Sequence, residues 1–176
     1  MSDAPVGAFL RSVFLDAVPV ISVAVLIILT TLPISMSTML SIGGLWPLIG
    51  ITFWTLTRQR SMHPASVFAL GLLTDMATFV PFGIHALVFV VAQYLLKKQR
   101  RFLIGQGFWV LWAAYAVLAT SVYTVLYFLT SVFLPGAIPF DRGLVGVAVA
   151  WAFVPIIVWG LGRLNDIIDL FDEPIA

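Results

Sequence analysis

Two residues of this chain, Asp75 and His85, have side chains and a spacing that could do chemistry. Asp75 is the only charged residue well inside an apolar run, residues 65–80, that is long enough to cross much of a bilayer. A carboxylate at membrane depth costs roughly 2.5–3.5 kcal/mol on insertion scales, so it usually faces a protein interior or a wet cavity. His85 lies ten residues later, where the next apolar run opens. An acid and an imidazole could transfer a proton or bind a substrate.

The same carboxylate has a structural interpretation, which we favour. The segment Pro81-Phe82-Gly83 predicts a turn, and backbone N–H groups at such a turn lack helical partners. Asp75 could accept hydrogen bonds from these groups or from another span. Gly71, one turn earlier, permits close approach of a helix, and Thr78 can donate a hydrogen bond to the carboxylate. A break between the runs could bring His85 within reach of Asp75, although His85 taken alone is interpreted as an interfacial residue.

Other kinds of catalytic or binding site are not indicated. The chain has no cysteine and two histidines, which excludes thiolate chemistry and leaves no credible metal site. The sequence contains no recognisable nucleophile–base pair and no phosphate-binding loop. The net charge of +1 argues against nucleic acid as a partner. We therefore predict a protein that is not an enzyme and that uses no cofactor.

The elements that must position Asp75 and His85 are predicted to be membrane-spanning helices. Hydrophobic residues make up 61% of the 176-residue chain and charged residues only 10%. A soluble domain has about 25% charged residues, so the exterior of this protein must be lipid. The apolar runs predict an all-α membrane protein in which residues 1–176 form a single six-helix domain. The predicted spans are residues 17–32, 40–56, 64–80, 84–96, 107–134 and 144–161.

Basic residues predict the orientation of these spans. If the N-terminus is cytoplasmic, the inside segments carry eight basic residues and the outside segments carry only Arg142. The eight are Arg11, Arg58, Arg60, Lys97, Lys98, Arg100, Arg101 and Arg163. Both termini are therefore predicted to be cytoplasmic, and Asp75 is predicted to lie in the outer half of the membrane.

The segment around Asp75 resembles a known family. Its pattern, Gly-Leu-x-x-Asp followed by Pro-x-Gly-x-x-Ala-Leu, is similar to the signature of the rod shape-determining protein MreD family, whose members are also similar in length and number of spans. The two strings that carry the resemblance are Ala69-Leu70-Gly71-Leu72-Leu73-Thr74-Asp75 and Pro81-Phe82-Gly83-Ile84-His85-Ala86-Leu87. We predict a structural or partner-binding motif formed by Gly71, Asp75, Pro81, Gly83 and His85.

The resemblance implies a multi-pass protein of the bacterial inner membrane, with a fold similar to the substrate-binding subunits of energy-coupling-factor transporters. It implies a non-enzymatic component of the cell-elongation machinery, which binds the bitopic protein MreC and helps to organise peptidoglycan synthesis and cell shape. The other implied partners are the actin-like MreB, a SEDS glycosyltransferase and a transpeptidase.

Two other functions remain open from the sequence. A membrane enzyme or proton-coupled carrier would use the acid and the imidazole, but a catalytic site needs more convergent polar groups. A substrate-binding membrane subunit of a vitamin transporter would use outer polar groups as its pocket. Such subunits usually carry an Ala-x-x-x-Ala face in the first span, whereas here Ala17 is followed at four residues by Ile21, and Ala24 by Ile28. The outer polar residues, which could also simply wet the surface, are Thr30, Thr31, Ser35, Ser37, Thr38, Asp75, Thr78, Tyr127, Thr130 and Ser131.

Two further patterns each have a structural and a binding interpretation. Small residues in the fifth and sixth spans either pack within the bundle, which we favour, or dock the transmembrane helix of a partner. The cluster at residues 97–101 could bind anionic lipid head groups or an acidic partner, but its role in topology is sufficient by itself. The small residues are Ala113, Ala116, Thr120, Thr124, Gly146 and Ala150, and the cluster is Lys97-Lys98-Gln99-Arg100-Arg101.

Residues 163–176 are predicted to form an acidic amphipathic cytoplasmic tail. Leu164, Ile167, Ile168 and Phe171 recur at helical spacing, and acidic side chains take much of the remaining surface. An anionic leaflet would repel such a helix. The tail is therefore either a recognition helix for a cytoplasmic partner or a cap on the inner surface of the protein itself.

Overall fold

The computed structural model describes residues 17–29, 45–58, 61–78, 81–103, 105–133 and 140–172. Within these residues the chain forms six α-helices and no β-strand, which confirms the all-α prediction. The helices are α1 Ala17–Leu29, α2 Leu45–Thr57, α3 Pro64–Thr78, α4 Ile84–Leu103, α5 Phe108–Phe133 and α6 Phe140–Asp172.

Local signals in the sequence explain several helix ends. Helix α3 begins at Pro64. Proline is well tolerated at the first position of a helix, because an N–H there would have no partner within the helix. The Val67 N–H donates to the His63 carbonyl at 3.1 Å. Beyond the end of α4, Gly105 has φ +91°, the left-handed conformation that commonly ends a helix. These signals agree with the predicted start at 64 and with the predicted break before the fifth span.

Two helices continue beyond the predicted spans. Helix α4 continues through the basic cluster to Leu103, although the apolar run ends at residue 96. Helix α6 continues to Asp172 without a break, so residues 163–172 of the predicted tail are its last turns, and residues 173–176 lie outside the described part. A hydropathy window detects the apolar part of a helix, whereas backbone hydrogen bonds continue through polar residues that form helices well.

Two helices are long and apolar enough to cross a membrane, by length and composition. These are Trp109–Phe133 in α5 and Val145–Leu170 in α6, while α1, α2 and α3 are shorter apolar helices as described. Arg11, Arg60 and residues 30–44 lie outside the described part of the chain. Six spans with both termini in the cytoplasm therefore stay a prediction.

Helix α2 lies at the centre of the bundle. Nine of its 13 residues are buried, so it is enclosed on nearly all sides. It packs against α4, α5 and α6, and the Trp54 indole N–H donates to Ser22 Oγ of α1 at 2.8 Å. One continuous apolar core takes residues from all six helices, for example Val23, Leu48, Leu70, Phe89, Val122 and Val154.

The outward faces of α5 and α6 are strongly apolar. Val117, Phe128, Ile156 and Trp159 are each more than 60% exposed. Large exposed apolar patches are rare on soluble monomers, so these faces require an apolar environment.

The favoured interpretation of the small residues is wrong for three of the four in α5, while Ala116 is partly buried. Ala113, Thr120 and Thr124 are exposed and do not pack in the bundle, whereas Gly146 and Ala150 of α6 are buried. The two α5 hydroxyls each donate to the carbonyl four residues earlier, at 2.8 Å. A threonine hydroxyl in a helix can satisfy itself in this way without a neighbouring helix.

The predicted apolar stripe of the tail is only partly buried. Ile168 is 3% exposed, but Leu164 and Ile167 are 38% and 49% exposed, because a different face of α6 turns towards α2. On that face the Arg58 guanidinium donates to Asn165 Oδ1 at 3.0 Å and to the Asp169 carboxylate. These contacts hold the last turns of α6 against the end of α2, as a cap would; the side chain of Phe171 lies outside the described part.

Candidate functional site

The junction between α3 and α4 brings the predicted site residues together. Asp75 lies in the last turn of α3, and its side chain is fully shielded, with the residue 1% exposed. One turn earlier, Gly71 faces the first turn of α4 so closely that a Cβ at this position would lie 2.3 Å from the Ala86 Cα. The absence of a side chain at Gly71 is therefore what lets α4 begin beside Asp75.

The Asp75 carboxylate binds the start of α4 through three donors. Oδ2 accepts the Gly83 N–H at 2.8 Å, and Oδ1 accepts the His85 N–H at 2.9 Å. His85 Nδ1 lies 2.8 Å from Oδ1, and in the tautomer with the proton on Nδ1 the ring N–H donates to the carboxylate. The first N–H groups of a helix have no partner within it, so Asp75 caps α4 from the preceding helix. Its negative charge also lies at the positive end of the α4 dipole.

The turn between the helices depends on Gly83. This residue has φ +99°, which favours glycine, and its carbonyl accepts the Leu87 N–H at 2.9 Å, so it is the N-cap residue of α4. Pro81 opens the turn, and Phe82 at its tip is 73% exposed. The turn thus orients the Gly83 and His85 N–H groups towards one carboxylate.

His85 is buried within the protein, and its interpretation as a residue at the membrane interface stays a prediction. It is 5% exposed, and its ring packs edge-on against Phe89 with centroids 5.7 Å apart. The prediction that a break in the chain could bring it within reach of Asp75 is confirmed by the 2.8 Å contact. The prediction that Thr78 donates a hydrogen bond to Asp75 is wrong, since the Thr78 hydroxyl donates to the Thr74 carbonyl at 2.8 Å.

The junction has the features of a structural site. An ionised carboxylate only accepts hydrogen bonds, and Asp75 receives three from the helix start that it caps. Among the described residues no group of three His, Cys, Asp or Glu could hold a metal ion. Two apolar grooves of about 170 and 80 Å³ lie elsewhere, between α4 and α5 and among α2, α5 and α6, and neither is lined by Asp75 or His85.

A second polar cluster, which the sequence did not reveal as a unit, lies at the other end of α4. Gln93 Nε2 and Lys97 Nζ donate to the Met62 carbonyl at 2.9 and 3.2 Å, and Arg100 Nε donates to the Leu56 carbonyl at 3.0 Å. Partial burial lowers the pKa of the Lys97 ammonium. The sequence signal that could have revealed this cluster is the spacing of residues 93, 97 and 100 by four and three, because it places these donors on one helical face. They hold the connection from α2 to α3 against α4.

Within the basic residues 97–101, some side chains bond to the backbone of other segments and others are exposed. Substitutions of the neighbouring residues Arg100 and Arg101 should therefore have different effects on stability. Arg100→Gln should lower stability by about 1 kcal/mol, because Arg100 satisfies a carbonyl at the end of α2. Arg101 is exposed, so Arg101→Gln, which removes the same charge, should change stability by less than about 0.5 kcal/mol. Thermal unfolding of both variants in one detergent tests this, and equal losses would contradict it.

The fold and the site together define a class, an all-helical membrane protein whose buried acid caps a helix. The chain belongs to the MreD family, because the family model described as rod shape-determining protein MreD matches residues 11–162. This match confirms the resemblance found in residues 69–87. The family is a shape-determining one and not a known family of enzymes. Comparison with curated proteins and with solved structures gives no match, so similarity to transporter subunits stays a prediction.

Proposed function

We propose that this protein is a non-enzymatic component of the bacterial cell-elongation machinery in the inner membrane. It crosses the membrane six times, with both termini in the cytoplasm, and it binds an MreC-like bitopic protein. Through this partner it works with MreB, a SEDS glycosyltransferase and a transpeptidase to organise peptidoglycan synthesis. Membership of a family that determines rod shape supports the proposal.

The hydrogen bonding of Asp75 is the observation that supports the non-enzymatic part of this proposal. The one charged group deep in an apolar run accepts three hydrogen bonds from the helix start beside it. This capping explains why a charge is present there without any reaction. In this proposal Gly71, Asp75, Pro81, Gly83 and His85 build the α3–α4 junction and so hold the surfaces that the partner binds.

The outer polar residues give the vitamin-transporter alternative no support. Thr30, Thr31, Ser35, Ser37 and Thr38 lie outside the described part of the chain. Thr130 and Ser131 donate to backbone carbonyls of their own helix, both at 2.7 Å, as Thr78 does. Hydroxyls satisfied in this way are ordinary for helices in lipid and need no ligand.

Purification of the tagged full chain in mild detergent, from the cells that encode it, tests the proposal. A single-pass membrane protein with a coiled-coil region should co-purify. The Asp75→Asn variant, compared at equal amounts of folded protein, should retain this partner, because the carboxylate acts through folding. Co-purification of an ATPase pair, or a catalytic or transport activity that Asp75→Asn removes at unchanged expression, would refute the proposal.

A further inference from the structure

The larger apolar groove, of about 170 Å³, lies between α4 and α5. Its floor is buried, with Val88, Ala92 and Val122 each 6% exposed or less, while its rim residues Val91 and Val125 are about half exposed. Along α4 the lining runs from Leu87 to Leu95, a length of about 12 Å at 1.5 Å per residue. The groove therefore has the polarity for a hydrocarbon chain, and the hydroxyl of Ser121, the one polar residue in its lining, donates to the Val117 carbonyl at 2.8 Å.

A positive charge lies at one end of this groove. Val91, Leu95 and Lys98 follow each other at four and three residues, so Lys98 lies on the α4 face that lines the groove, one turn beyond its last residue. Lys98 is exposed, whereas Lys97 beside it bonds the Met62 carbonyl. Arg101 and Phe102, one turn further along, are exposed as well. Lys98 is thus an exposed basic residue on the same helix face, one turn beyond the apolar lining of the groove.

We propose that this groove binds one anionic phospholipid of the inner leaflet, with an acyl chain between α4 and α5 and the head-group phosphate at Lys98. The arrangement matches an amphiphile, because an apolar groove about 12 Å long leads directly to a cation. An acidic peptide would pair with the cation but would have no use for an apolar groove at membrane depth. The inference rests on the membrane placement proposed above and is independent of the MreC-like partner.

Native mass spectrometry of the full chain in neutral detergent, with phosphatidylglycerol or phosphatidylcholine added, tests the proposal. The wild type should retain phosphatidylglycerol preferentially. Lys98→Gln should lower this retention about fivefold, which corresponds to the roughly 1 kcal/mol that a basic residue contributes near an anionic lipid surface. The matched control is Arg163→Gln, which removes one charge from an exposed arginine that stacks on Trp159, outside the groove, and should leave retention unchanged.

A second variant, Val91→Phe, tests the role of the groove without changing the charge of the protein. Val91→Phe fills the groove at a half-exposed rim position, so it should reduce retention of both lipids while leaving thermal stability unchanged. Equal loss in Lys98→Gln and Arg163→Gln would mean a non-specific charge effect and would overturn the proposal. Retention unaffected by Lys98→Gln would also overturn it. Either failure would leave the co-purification of the bitopic partner intact.

Discussion

Asp75→Ala should destabilise the protein more than removal of any other side chain at the α3–α4 junction. The substitution leaves the buried His85 N–H and the partly buried Gly83 N–H without their acceptor. A buried donor left unpaired costs about 1–3 kcal/mol and a partly buried one costs less, so the expected loss is about 2–4 kcal/mol. Thermal unfolding of the purified protein in detergent, with the monodisperse fraction measured by size-exclusion chromatography, gives the result.

His85→Phe is the matched comparison for Asp75→Ala. It removes the ring donor but keeps an aromatic ring beside Phe89, and the backbone N–H of residue 85 still bonds to Asp75. The expected loss is therefore smaller, about 1 kcal/mol. Asp75→Asn, which keeps one acceptor oxygen, should fall between the two. If His85→Phe were as damaging as Asp75→Ala, the side-chain pair and not the capping of α4 would hold the junction together.

The junction could be predicted from the sequence because its parts are close in the chain. Asp75, Gly83 and His85 lie within eleven residues, so a helix end, a turn and a helix start are enough to bring them together. The error over Thr78 has a local cause as well. A threonine hydroxyl in a helix always has the carbonyl four residues earlier within reach, and this bond wins over one across the turn.

Contacts between distant segments could not be predicted in the same way. Arg58 and Asp169 are 111 residues apart, and nothing in the local pattern of either indicates the pairing. Their contact lies on the face of α6 that turns towards α2, whereas Leu164 and Ile167 of the predicted stripe are exposed. Similarly, hydropathy ends the fourth span at residue 96, because it does not detect that Lys97 and Arg100 bond to the backbone of other segments.

Gly71→Ala should be the second most damaging substitution at the junction. A Cβ at residue 71 would lie 2.3 Å from the Ala86 Cα and 2.7 Å from its backbone nitrogen, and neither atom can rotate away. Alanine gains up to about 1 kcal/mol in helix propensity, but overpacking against a rigid neighbour costs about 1–3 kcal/mol or more. The clash should win, because relief requires α3 and α4 to separate. That separation would also lengthen the hydrogen bonds that Asp75 accepts one turn later.

Two further variants show whether the clash is with the backbone of α4. Gly160→Ala in α6 is the matched control, because a Cβ there meets nothing within 4 Å, so it should leave stability unchanged or raise it slightly. Adding Ala86→Gly to Gly71→Ala should not rescue the protein, since it removes a Cβ at 3.1 Å but leaves the backbone atoms at 2.3 and 2.7 Å. Full rescue would mean that only side chains limit the approach of the helices. Separation of α3 and α4 in Gly71→Ala already weakens the hydrogen bonds to Asp75. The double variant Gly71→Ala/Asp75→Ala should therefore lose less stability than the sum of the losses in the two single variants.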